Sequence, residues 1–135
     1  MSEEGKKSIQ VVAAVIWNEG EILCVQRGEN RYDYISRKWE FPGGKLEKGE
    51  SEAEALSREI KEELNLEIEV KEKLIAVRHE YPDFFLTMHT YNCFAAHRNI
   101  TLLEHIDSDW RKVNDISDLD WAGADIPIVK CLSNI

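Results

Sequence analysis

Residues 43–66, GGKLEKGESEAEALSREIKEELNL, constrain this chain more than any other stretch. Ala53, Leu56, Ile60 and Leu64 are spaced by three, four and four positions, which draws one apolar stripe along a helix. Ser51 followed by Glu54 makes a capping box at its start, and Asn65, which tolerates left-handed backbone, closes it. On that helix Glu59, Glu62 and Glu63 project from one side, next to the apolar stripe and not opposite it. Like charges at these spacings cost roughly a few tenths of a kcal/mol per pair, and more when partly buried. Such a face is ordinarily just solvated, but a divalent cation would remove the penalty. Donors that are all oxygen select hard ions, and Mg²⁺ takes a few carboxylates while keeping waters and phosphates in its remaining positions. The pattern therefore points to a phosphate-processing metal site. Gly43 and Gly44, read as a forced turn after Pro42, let backbone come close, so a main-chain carbonyl there can add an oxygen. Arg58, beside Glu59, can hold a carboxylate in place through a bidentate pair.

The rest of the chain reads as strands around that helix. Residues 8–17 and 22–26, joined by Asn18-Glu19-Gly20-Glu21, form a hairpin whose turn uses the Asn and the Gly. The first of these strands is apolar throughout and so belongs in the middle of a sheet. Residues 27–38 hold Arg27, Arg31, Arg37 and Lys38 among two tyrosines, a concentration of positive charge where an anion can dock. Trp39-Glu40-Phe41 is a short strand, and residues 67–81 and 84–96 are two more around a Pro82-Asp83 turn. Residues 113–119 are mixed, and Asp125-Ile126-Pro127 starts a closing helix that runs through Leu132. Strands before and after one strongly marked helix imply an α+β fold or a mixed α/β/α sandwich. One domain over residues 8–135 is expected, with 1–7 as a loose leader.

Composition narrows the function. A chain of 135 residues with 43% hydrophobic content can bury one core. A net charge of −9 opposes broad binding to a nucleic acid backbone or to anionic lipid, so a polyanion needs a metal or a local basic site. The longest apolar run, residues 11–17, falls far short of the ~18 needed for a membrane span. Residues 1–10 are too polar for a signal peptide. Cys24, Cys93 and Cys131 are odd in number and widely spaced, which suggests neither a disulfide framework nor a zinc site and fits a reducing cytoplasm.

Gly44, five residues, Glu50, seven residues and then Arg58-Glu59-Ile60-Lys61-Glu62-Glu63-Leu64-Asn65-Leu66 resembles the Nudix box, Gx5Ex7REUxEExGU with U aliphatic. Asn65 replaces the last Gly, a change that keeps left-handed backbone accessible. Trp39-Glu40-Phe41-Pro42-Gly43-Gly44-Lys45, His79-Glu80-Tyr81-Pro82-Asp83 and Ala124-Asp125-Ile126-Pro127 are similar to segments of MutT-type enzymes, the last especially to CTP pyrophosphohydrolases. The resemblance implies the Nudix α/β/α sandwich with a mixed sheet. It also implies hydrolysis of a nucleoside triphosphate to the monophosphate and pyrophosphate with Mg²⁺ or Mn²⁺, acting on CTP, dCTP or modified nucleotides.

By the same resemblance Glu62 and Glu63 ligate metal with the Gly43 carbonyl, Glu59 is the general base or a further ligand, and Glu104 is a late ligand. Glu50 supports the site, Arg58 orients the carboxylates, and Arg27 and Lys45 face phosphate oxygens. Phe41 and Tyr81, like Phe84, belong either to the core or to a slot that sandwiches a base. Asp125 is either the N-cap of the closing helix or the residue that reads the base. If ionised it can only accept, which favours the exocyclic amine of cytosine over the carbonyls of uracil. Two other readings stay open: hydrolysis of another substrate, such as 8-oxo-dGTP, ADP-ribose or a dinucleoside polyphosphate, and a nucleotide-binding regulator without catalysis. The intact set of Glu59, Glu62 and Glu63 argues against the regulator, because a pure binder needs no base beside its metals. The four histidines carry no ligand motif and read as ordinary surface or core residues.

Overall fold

Alternate residues of the first strand serve two cores, which is why it is apolar throughout. In the computed structural model, which describes residues 6–134, β1 (Lys7–Asn18) sends Ala13 and Val15 to one face and Val12, Ala14 and Ile16 to the other. None of these five side chains is more than 1% exposed. A tight turn leads into β2 (Glu21–Arg27), with Glu19 and Gly20 in left-handed backbone at φ 49° and 79°. Two positive φ values in a two-residue hairpin loop match the right-handed twist of the strands. Asn18 is thus not a turn residue: it ends β1, buried, with Nδ2 donating to the Ala95 carbonyl at 2.8 Å.

The remaining elements are β3 (Trp39–Glu40), β4 (Gly43–Lys45), α1 (Glu52–Leu64), β5 (Glu69–Glu80), β6 (Phe84–Phe94), β7 (His105–Arg111) and α2 (Ile126–Ser133). The sheet runs β3-β2-β1-β6-β5, with β4 added against β1 and β7 against β2. The β1–β6 pair is parallel and the other pairs are antiparallel, so the sheet is mixed. Leu56, Ile60 and Leu64 of α1 pack with Val12, Ala14 and Ile16 on one face. Ile128, Val129 and Leu132 of α2 pack with Ala13, Val15 and Cys24 on the other. The fold is an α/β/α sandwich, as expected from the sequence. No helix among the described residues is long and apolar enough to cross a membrane.

Four local expectations change. Ala53 is exposed although it lies on the face of Leu56, Ile60 and Leu64, because it sits in the first turn of α1, and Ala55 is buried instead. Gly43 and Gly44 do not form a turn but the strand β4, and neither has a positive φ. They are glycines because backbone passes too close: a Cβ on Gly43 would collide with the Val12 carbonyl, and one on Gly44 with the Glu59 carboxylate. Residues 105–111 form an unforeseen strand, since HIDSDWR pairs only with β2 and keeps much of its surface in solvent, leaving little apolar alternation. Residues 1–5 of the expected leader lie outside the described residues, and its end is shorter than expected: Lys6 pairs with Glu80 and Lys7 already begins β1.

Candidate active site

The capping box at Ser51, with Glu54 accepting the Ser51 N–H at 2.9 Å and Ser51 Oγ accepting the Glu54 N–H at 3.1 Å, fixes the rotation of α1. Asn65, at φ 51°, stops it one residue after Leu64. Between these ends Arg58 is the hub of the acidic face. Its Nε and Nη2 donate to both oxygens of Glu50 at 2.6 and 2.9 Å, and its Nη1 donates to Glu59 at 3.0 Å and Glu62 at 3.2 Å. Nη2 also donates to the Lys45 carbonyl at 3.2 Å, tying the helix to β4. The guanidinium holds the Glu50 carboxyl below the usual range. Burial pushes Glu59 up, partly offset by Arg58.

Glu63 lies deeper. Its Oε2 is buried without a hydrogen-bond partner. Burial, then the charges of Glu59, Glu40 and Glu104, push its carboxyl up to about 8. Glu104 reaches this neighbourhood because residues 101–103 cap the end of α1: Thr101 N–H donates to the Leu64 carbonyl at 2.9 Å and Leu103 N–H to the Glu63 carbonyl at 3.1 Å. Gly43 contributes from β4. The Ala14 N–H donates to the Pro42 carbonyl at 2.8 Å and the Leu46 N–H to the Gln10 carbonyl at 3.2 Å. Ladder bonds alternate, so the Gly43 peptide groups point away from β1.

These residues suit a hard divalent ion. An orphaned carboxylate oxygen among like charges is costly until a cation joins it, and all the donors are oxygen. Among the described residues no group of three or more His, Cys, Asp or Glu side chains already forms a metal cage. Glu59 and Glu62 are turned onto the Arg58 guanidinium. Mg²⁺ needs only a few protein ligands.

One cavity of about 1080 Å³ connects Glu59, Glu63, Glu104, Gly43 and Lys45 with an aromatic end formed by Phe41, Tyr81 and Asp125. Glu62, with 57% of its side chain exposed, does not line it, and neither do Glu50 and Arg58. Phe41 and Tyr81 are both core and wall: each is buried, Phe41 stacked on Trp121 at 4.6 Å and Tyr81 on Tyr34 at 5.0 Å. Asp125 makes no side-chain cap to α2. Instead its Oδ1 accepts the Phe41 N–H at 2.9 Å, across 84 residues of chain. Its neighbour Ala124 donates its N–H to the Tyr81 hydroxyl at 2.9 Å. Burial pushes the Asp125 carboxyl well up, with the Glu40 charge adding to the effect.

The sequence model described as the NUDIX domain matches residues 11–131. The chain belongs to the Nudix family. It is 34% identical to the CTP pyrophosphohydrolase of Escherichia coli K12 over 124 residues, covering 92% of this chain and 90% of that protein. It is 34% identical to the 8-oxo-dGTP diphosphatase of Proteus vulgaris over 84 residues, 62% of this chain and 73% of that one. Among solved structures, the MutT protein of methicillin-resistant Staphylococcus aureus 252, a Nudix hydrolase, superposes with a TM-score of 0.73 at 40% identity over 96% of this chain and 98% of that one.

Two residues of this Nudix hydrolase stand out that the sequence did not single out. Glu40 lines the cavity with Arg27 Nη1 3.4 Å from its Oε1, and His105, buried, lies 2.9 Å from its Oε2. A lone charge between Trp39 and Phe41 was the only sequence signal for Glu40, and His105 gave none. The basic loop is also less free than its composition suggests. Arg37 pairs with Glu29 at 2.6 Å and Lys38 with Asp120 at 2.9 Å, leaving Arg27 and Arg31 as its cations on the cavity.

Proposed function

We propose that this Nudix hydrolase converts nucleoside triphosphates to the monophosphate and pyrophosphate with Mg²⁺ or Mn²⁺, and that cytosine nucleotides are its preferred substrates. One observation carries the reading. A single cavity joins an acidic end, where Glu63 has a buried oxygen without a partner, to an aromatic end closed by Asp125. The relative in Escherichia coli, named a CTP pyrophosphohydrolase, supports the choice of base.

Glu63, Glu104 and the Gly43 carbonyl would hold the metal, with Glu59 beside them as the general base. Glu62 would join them only by exchanging Arg58 for the ion. When bound, the ion supplies positive charge against the phosphate oxygens and makes water more acidic. Glu59 takes the proton of the attacking water, and Arg58, braced by Glu50, keeps the Glu59 carboxylate aimed. Arg27 and Lys45 neutralise phosphate oxygens as pyrophosphate leaves. Phe41 and Tyr81 enclose the base, while the Asp125 oxygen not used by Phe41 meets its polar edge. Three unpaired thiols, two of them buried, suit work in a reducing cytoplasm.

The test is product release from a panel of CTP, dCTP, UTP, dTTP, 8-oxo-dGTP and ADP-ribose, with and without Mg²⁺. Pyrophosphate with equal monophosphate, lost on chelation, is expected, with CTP or dCTP favoured over UTP or dTTP by at least about tenfold in kcat/KM. Glu59→Gln should lower kcat by roughly 10²–10⁴ with KM little changed. Orthophosphate as the first product, or a leading activity on ADP-ribose, overturns the proposal.

A further inference from the structure

Glu40 stands where the two ends of the cavity meet. Its chain neighbour Phe41 carries the N–H that Asp125 accepts at the aromatic end. Its own carboxylate bonds to Nε2 of His105, which directly follows Glu104 at the acidic end. The charge of Glu40 is felt at both ends, since it helps push up Glu63 as well as Asp125. A carboxylate only accepts, so Nε2 of His105 must carry the proton in this contact. The His105 side chain is only 4% exposed, and its Nδ1 is buried without a partner. An unpaired buried polar atom is unfavourable, and an apolar side chain of this size would avoid it. The benefit of the imidazole at this position is therefore its Nε2–H, which holds one oxygen of Glu40. The other oxygen, Oε1, has only the 3.4 Å contact with Arg27 and keeps acceptor capacity toward the cavity.

We infer that Glu40, positioned by His105, reads a ribose hydroxyl of the bound nucleotide. The inference rests on the nucleotide reading of the same cavity. With the base toward Asp125 and the phosphates toward Glu63, the covalent order of a nucleotide puts the sugar between them, beside Glu40. A carboxylate there repels a phosphate oxygen but accepts from a hydroxyl in a charge-assisted bond. Arg27, touching the same carboxylate, marks the side on which the phosphates begin. His105 touches no substrate and is a positioning residue: without it the Glu40 carboxylate can turn toward Arg27 and leave the sugar.

Calorimetric binding of CMP, 2′-deoxy-CMP, 3′-deoxy-CMP and UMP to the full chain tests this without requiring turnover. In the wild type, removing one of the two hydroxyls should weaken binding about ten- to a hundredfold, as for a hydrogen bond to a charged group. In Glu40→Ala the same removal should cost less than about twofold, a non-additive cycle. His105→Ala should show the same loss of sugar discrimination, and His105→Gln, whose amide can still donate, should recover part of it. The preference for CMP over UMP should survive in all three variants, a split that general loosening of the site would not produce. If His105→Ala fails to fold, Glu40→Gln, which keeps the shape and loses the charge, provides the same cycle with reduced coupling. Equal losses for both deoxy compounds in wild type and Glu40→Ala overturn the sugar assignment while CMP binding leaves the nucleotide reading intact. A collapse of the CMP over UMP preference in Glu40→Ala without sugar coupling assigns Glu40 to the base and also overturns it. No binding of any mononucleotide to the wild type removes both.

Discussion

Arg58 closes on Glu50 with two parallel bonds, Nε to Oε2 at 2.6 Å and Nη2 to Oε1 at 2.9 Å, eight residues apart in the chain. That fork leaves Nη1 free to meet Glu59 and Glu62, so a residue outside the cavity wall sets the direction of Glu59, a carboxylate that lines it. A lysine ammonium keeps the charge but cannot make the planar fork. Arg58→Lys should therefore lower kcat/KM about ten- to a hundredfold, the usual worth of hydrogen bonds to charged groups. Steady-state kinetics at saturating Mg²⁺ measures this, and near-wild-type turnover would show that Glu59 needs no such brace.

Glu63 makes metal-free stability depend on pH. Its folded-state carboxyl lies near 8 against 4.5 for the free group, so between those values the native state holds a proton that the unfolded state has lost. The contribution is fully present below about 4.5 and is lost as pH rises toward about 8. Each pKa unit corresponds to ~1.4 kcal/mol, so the total is of the order of a few kcal/mol. Glu63→Gln should melt higher than the wild type at alkaline pH in chelator, with the difference shrinking toward pH 5 or so. Mg²⁺ should raise the wild-type Tm at alkaline pH far more than that of the variant. Parallel melting curves for the two proteins would mean that Glu63 is not the strained group.

Asp125 gives base choice its own pH dependence. Burial raises its carboxyl well above the ordinary value, so the acid form persists to higher pH than for an exposed aspartate. The acid both donates and accepts and can face cytosine or uracil, whereas the carboxylate only accepts and favours the N4 amine of cytosine. The ratio of kcat/KM for CTP over UTP should therefore rise with pH as this carboxyl ionises, above the ordinary aspartate range, cancelling effects on the shared phosphate chemistry. Asp125→Asn, neutral throughout, should hold that ratio flat. A ratio independent of pH in the wild type would leave base choice to Phe41 and Tyr81.

Local, periodic features were legible in the chain itself. The stripe of α1, its capping box, its left-handed end at Asn65 and the Arg58-Glu59-Glu62-Glu63 cluster depend on spacings of at most five residues, which helix geometry alone converts into position. The apolar run of β1 likewise announced a central strand, because both faces had to be buried. What the acids and aromatics do together needed the tertiary structure. Glu63 becomes an orphan only because β4 and the segment before β7 close over the end of α1, and local spacing cannot tell it from the exposed Glu62. Asp125 looked like a helix cap because its neighbours in sequence form a helix, yet its bond goes to Phe41, 84 residues earlier. Glu40 and His105, 65 residues apart, meet because β3 and β7 both pair with β2, a relation carried by hydrogen-bonded backbone and not by any periodicity of side chains. Sequence spacing specifies which face of one element a residue occupies, but burial, and with it the energy of each charge, is set by which other element covers that face.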